Sequence, residues 1–173
     1  MGLWGYPAPA GPFRQAFPRP RALASLAERH PPACPRESRH PGTIEKRIDV
    51  KTADGYTVAA LVRFRESDPD CWLQLVAAGI AETATGTDYF ASFAEIRRRL
   101  AKSDLLPQCY GASRNVWPSG MARDMGEGLA AYKLTMGRPA EERVHIFASG
   151  PDIDPVDPEE QRAFARAWFR SLK

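Results

Sequence analysis

Residues 44–64 read IEKRIDVKTADGYTVAALVRF, two runs of alternating hydrophobicity either side of a turn signal. Ile44, Ile48 and Val50 recur on one side at period two, and Tyr56, Val58, Ala60, Val62 and Phe64 do the same. Between them, Asp54-Gly55 supplies residues that tolerate the positive φ of a tight hairpin turn. Two antiparallel strands are predicted, each with one face for a core.

Working toward the C-terminus, CWLQLVAAG (71–79) is apolar on both faces, as a covered central strand is. In TDYFASFAEIRRRLAKSD (87–104), Tyr89, Phe93, Ile96 and Leu100 recur at three and four residues, with Thr87 or Asp88 in place to cap the first turn. The spacing predicts an amphipathic helix with the arginines at 97–99 on its solvent side. LLPQCYG (105–111) reads as a short strand confined to an edge by Pro107. LAAYKLTM (129–136) and RVHIFA (143–148) read as a second strand pair around the turn GRPAEE. The final helix begins with Asp157 as cap, Pro158 in the first turn and Glu160 completing a capping box. Its predicted buried stripe is Phe164, Ala167, Trp168 and Leu172.

These elements predict one α+β domain over residues 43–173, with a mostly antiparallel sheet of five to six strands and two main helices packed on one face. Residues 1–42 differ in kind. They hold nine of the sixteen prolines, six arginines and no lysine, and they are predicted to be a disordered leader, with one short helix at RALASLAERH. No uninterrupted apolar segment there resembles a secretory signal.

Charge divides along the same boundary. The leader carries +4, from six arginines against two glutamates, and residues 43–173 carry −1, from 18 basic and 19 acidic residues. A near-neutral body gives no electrostatic footprint for nucleic acid. No run reaches the roughly 20 apolar residues that span a bilayer, so a soluble, cytoplasmic protein with no membrane partner is expected. The cysteines, Cys34, Cys71 and Cys109, are odd in number and lack C-x-x-C spacing, which argues against both a disulfide framework and a zinc site.

The stretch most suggestive of a site is GASRNVWPSGMARDMGEG, residues 111–128. Arg114, Asn115, Trp117, Ser119, Arg123 and Asp124 are its candidate binding residues. Ser119 is placed to cap a short helix, GMARDMG, beside Arg114 and Arg123, an arrangement that suits a phosphate or carboxylate. The same residues also fit an ordered loop with a purely structural role, pinned by Trp117 and Met121 with Arg123 paired to Asp124, or a protein-contact surface anchored by the tryptophan and arginines. No phosphate-loop or dinucleotide motif accompanies it.

Elsewhere, Cys109 and His145 are the only nucleophile and base to consider outside the leader, and both fall in predicted strands. SGPDIDPVDPEE (149–160) gathers five acidic residues without the spacing of a calcium loop, and reads as a connector that can also meet a basic partner. No catalytic set, cofactor motif or metal motif emerges. The expected function is non-catalytic binding of another protein, with a small cytoplasmic neutraliser of a toxic enzyme as one concrete form. The alternative is an anion-binding domain or enzyme built on Arg114, Ser119 and Arg123.

Overall fold

The computed structural model describes residues 42–65 and 67–172. The predicted disorder of the leader and the short helix expected at RALASLAERH fall on residues 1–41, outside the described residues.

Strands β1 (Thr43–Lys51) and β2 (Thr57–Arg65) form the predicted hairpin, with Thr43 opposite Arg65 and Lys51 opposite Thr57. The turn is wider than a two-residue loop. Thr52 N donates to Tyr56 O at 2.9 Å, and Gly55, at φ +83°, donates to Thr52 O at 2.9 Å. The predicted inner face is buried from Ile48 and Val50 across to Ala60, Val62 and Phe64, while Tyr56, in the turn, is 72% exposed.

The apolar run at 71–79 does not continue straight. Strand β3 (Leu73–Ala77) ends where Ala78 and Gly79 both take positive φ, and the chain returns as β4 (Ile80–Ala84). This two-residue turn matches the right-handed twist of the strands it joins. β5 (Leu106–Gln108) pairs with the far side of β1, putting Pro107 on the sheet edge opposite Val50. The antiparallel order is β4-β3-β2-β1-β5.

Helix α1 (Tyr89–Leu100) lays Tyr89, Phe93, Ile96 and Leu100 into the inner face of this sheet. Phe64, Phe93 and Phe147 meet at ring-centroid distances of 5.3–5.5 Å. The remaining strands form a separate antiparallel sheet, β6 (Val116–Trp117), β7 (Ala130–Lys133) and β8 (Arg143–His145), in that order. The fold is α+β, with a five-stranded and a three-stranded antiparallel sheet and two main helices among the described residues.

The last helix, α3 (Pro158–Ser171), is capped by Asp157, whose carboxylate accepts from the Glu159 and Glu160 amides at 2.7 and 3.2 Å. Glu160 does not close the capping box, because it is drawn to Arg114 at 2.6 Å. The buried stripe is also rotated from the predicted one. Gln161, Ala165 and Trp168 are buried, Phe164 is half-buried and Leu172 is 43% exposed. The rotation turns the Gln161 amide inward, toward backbone carbonyls that need a donor.

Between β5 and β6 the chain approaches the core closely. A Cβ added at Gly111 would lie 2.9 Å from Ile146 O and 3.0 Å from Ile146 Cβ. Because backbone cannot yield as a side-chain tip does, Gly111→Ala is expected to cost about 2 kcal/mol. Thermal unfolding should show a Tm lower by about 6 °C.

Candidate functional site

The 111–128 segment is held from beneath by a buried polar cluster that its sequence does not announce. Arg97, predicted on the solvent face of α1, is 3% exposed. Its guanidinium donates to Gly111 O at 2.9 Å, Gln161 Oε1 at 2.7 Å and Ala112 O at 3.3 Å, and also to Val156 O. Gln161 Nε2 donates in turn to the carbonyls of Ser113, Val116 and Gly111 at 2.7, 3.0 and 3.2 Å. Burial pulls the Arg97 pKa down to about 10, which still leaves the group charged at pH 7. Arg98 and Arg99 do occupy the solvent side, paired with Glu95, Glu159 and Glu82.

Both candidate arginines of the segment face carboxylates. Arg114 Nε lies 2.7 Å from Asp154 and its Nη1 lies 2.6 Å from Glu160. Arg123 reaches past its neighbour Asp124 to the nearly buried Asp88, at 2.7 Å. Its guanidinium also lies over the rings of Phe90 and Trp117, at 5.2 and 5.1 Å. Asp88 at the same time caps α1, accepting from Ala91 N at 2.8 Å. Gly128, at φ +73°, fits against it where a Cβ would come within 2.7 Å of Oδ1.

Ser119 caps the short helix α2 (Gly120–Asp124), accepting from Ala122 N at 3.1 Å. Asn115 Oδ1 accepts from Ser113 Oγ at 3.3 Å, and Asn115 O accepts from Leu134 N at 2.7 Å. Trp117 pins the segment as expected, edge-on to Phe90 at 5.3 Å. Met121 does not. It is 72% exposed, and Met125, one turn on, is 79% exposed. Asp124 is exposed beside them. The six candidate residues therefore divide into four that build the segment's frame, Arg114, Asn115, Trp117 and Arg123, and two at its surface helix, Ser119 and Asp124.

The acidic connector is equally committed. Asp152 accepts from Lys133 at 2.7 Å and from the Tyr110 hydroxyl at 2.9 Å, and Asp154, Asp157, Glu159 and Glu160 serve Arg114, α3 and Arg98 as described. These contacts with Lys133 and Tyr110 hold Asp152 below the usual carboxylate range. Among the described residues no group of three His, Cys, Asp or Glu side chains is placed to hold a metal ion.

Cys109 and His145 are held in different environments. The Cys109 thiol is fully buried, and burial pushes its pKa up to about 12. His145 is exposed, with Nδ1 accepting from Phe147 N at 3.1 Å and its ring against Phe147 at 5.8 Å. Partial desolvation, and then the Lys46 ammonium, hold its pKa below the ordinary histidine value.

Besides the Arg97–Gln161 cluster, two features escaped the sequence reading. One is the exposed Met121/Met125 pair. The other is an open groove of ≈ 510 Å³ lined by Gly126, Leu129, Ala130, Arg143, Val144 and His145. The i, i+4 spacing of the methionines was a usable signal; the groove joins residues from two strands and a loop and had none. No helix of the described residues is long and apolar enough to cross a membrane. No protein-family model matches the chain, and no curated protein matches it.

Proposed function

We propose that the chain is a protein-binding module that acts by contact and seats its partner across the surface carried by residues 111–128. The observation behind this reading is the methionine pair. Met121, in a short helix, and Met125, at its C-cap, stand 72% and 79% exposed, and the helix is held in place by the Ser119 cap and the Arg123–Asp88 pair. Methionine is flexible and polarizable, and a rigidly placed pair of them suits an apolar partner surface. The anion-binding alternative is not retained, because Arg114 and Arg123 already face carboxylates. Catalysis through Cys109 is disfavoured by a buried thiol that stays protonated at neutral pH. Within the binding class, a cytoplasmic neutraliser of a toxic enzyme is the form we propose to test first.

The test pairs the chain with the products of its neighbouring genes, using immobilised wild type and the double variant Met121→Glu/Met125→Glu. Both positions are solvent-facing, so the variant's Tm should stay within about 2 °C of wild type. Affinity for the partner should fall at least about tenfold, the scale of losing central apolar contacts. A partner retained at wild-type affinity by the double variant would refute the assignment of this surface.

A further inference from the structure

We infer that the outer edge of β8 receives an extended acidic segment of the partner protein as a fourth strand of the three-stranded sheet. This rests on the protein-binding reading and names the chemistry of what is bound.

The edge is open. β8 is the last strand in the order β6-β7-β8, and its pairing phase is fixed by Lys133 N donating to Glu142 O at 2.9 Å and Ile146 N to Leu129 O at 3.0 Å. In an antiparallel ladder hydrogen-bonded and non-hydrogen-bonded pairs alternate. The pairs Tyr132 with Arg143 and Ala130 with His145 are thus the non-bonded ones. Their phase turns the Arg143 N–H and C=O and the His145 N–H outward, where none has a partner among the described residues. Such an edge is a template for another strand, and proteins commonly guard it with short length, charged side chains, proline, a bulge or a covering element; β8 is three residues long and carries Arg143, a guard that only an acidic strand would satisfy. β8 itself has no proline, and Arg143 and His145 are exposed.

The charge around the edge selects the strand. Seven of the thirteen arginines of the described body face a carboxylate; Arg143 is not one of them, and Lys46 likewise has no ion-pair partner among the described residues. Glu141, two residues before Arg143, makes no ion pair with it. Lys46 is near enough to His145 for its charge to be felt there. Arg143 and His145 project to one face of the strand, and Val144, between them, packs toward the core. An added strand would place acidic side chains beside Arg143 and His145 and apolar ones beside Val144, since cross-strand neighbours share a face. A second copy of this chain paired symmetrically about Arg143 would set the two guanidiniums against one another, which favours a different protein. Recognition by strand addition draws affinity from main-chain hydrogen bonds and specificity from alternate side chains.

The probe is a fluorescein-labelled heptapeptide alternating glutamate and valine, measured by anisotropy, with a lysine–valine peptide as its counterpart. Two further probes carry N-methyl groups on every valine or on every glutamate. In an added strand only one of these sets of N–H groups faces β8. One methylated peptide should therefore bind as the parent does, and the other at least about tenfold more weakly. Arg143→Glu should weaken the glutamate–valine peptide about tenfold and admit the lysine–valine one. Its Tm should be unchanged, because the side chain is exposed and unpaired.

The inference is overturned if both methylated peptides bind like the parent, if no glutamate–valine peptide binds at millimolar concentration, or if concentration-dependent sedimentation shows copies of the chain pairing through β8. A chain that ignores every peptide, yet loses its protein partner on Met121→Glu/Met125→Glu, keeps the binding-module reading and loses this one.

Discussion

Arg97→Met is expected to destabilise the protein by about 4 kcal/mol, near the upper end of what single substitutions do. Two effects oppose each other. Removing the guanidinium relieves the cost of burying a charge that no carboxylate contacts, and its Nε already lacks a partner. Against that, Val156 O and Gln161 Oε1 lose the only donors they have among the described residues. Each buried acceptor left unpaired costs about 1–3 kcal/mol. Gly111 O and Ala112 O lose less, since Gln161 Nε2 and Val156 N still reach them. The acceptors win because they are buried on two backbone segments that this cluster joins, alongside the direct bonds from Val156 N to Ala112 O and from Arg114 N to Asp154 O.

Urea unfolding supplies the measurement, with Arg97→Lys alongside. Lysine keeps the charge but cannot span four acceptors, so it should be no better than methionine. A methionine variant within 0.5 kcal/mol of wild type, a margin typical of surface changes, would show that the guanidinium is not what joins the segments. Amide exchange should locate the damage at residues 110–116 and 154–156, where Val156 N donates to Ala112 O and Arg114 N to Asp154 O.

The hairpin at 44–64 was legible because Ile48 and Val50 on one strand and Ala60, Val62 and Phe64 on the other keep period two on a buried face, either side of Asp54-Gly55. β4 was not, because the apolar run of β3 continues through Ala78, and nothing in an alanine announces a positive φ. The short β6 adds only Val116 and Trp117 to its sheet, too few for any period. Arg97 had a signal that a solvent-face reading of the triplet hid. It stands four residues after Phe93 and three before Leu100, squarely on the apolar stripe of α1. Gln161 occupies the same kind of position relative to Ala165 and Trp168. A polar residue in phase with a buried stripe has to find partners inside, and these two found the carbonyls of the 111–128 segment. The ion pairs of Arg114 and Arg123 were beyond reach, because Asp154, Glu160 and Asp88 lie far away in the chain and the locally adjacent Asp124 was the natural guess.

Asp88→Ala is expected to cost about 3 kcal/mol, from two losses that can be separated. The α1 cap contributes about 1 kcal/mol. The charge-assisted bond from Arg123 contributes about 2 kcal/mol, discounted because the arginine side chain is 29% exposed while the carboxylate is 3% exposed. Asp88→Asn keeps an oxygen for Ala91 N and should lose only the second share. Arg123→Met leaves the carboxylate in place without its cation, and Gly128 packs so near it that little room remains for water to substitute. Arg123→Met combined with Asp88→Asn should then be less destabilising than the sum of the single changes, by about 1 kcal/mol, the scale of coupling between contacting residues. Strict additivity would mean that the pair contributes nothing beyond its separate packing. The same pair fixes the helix bearing Met121 and Met125, so Arg123→Met should also weaken capture of the protein partner even where the fold survives. Binding at full strength by a folded Arg123→Met variant would separate the methionine surface from its support and leave the rigidity of α2 without a part in recognition.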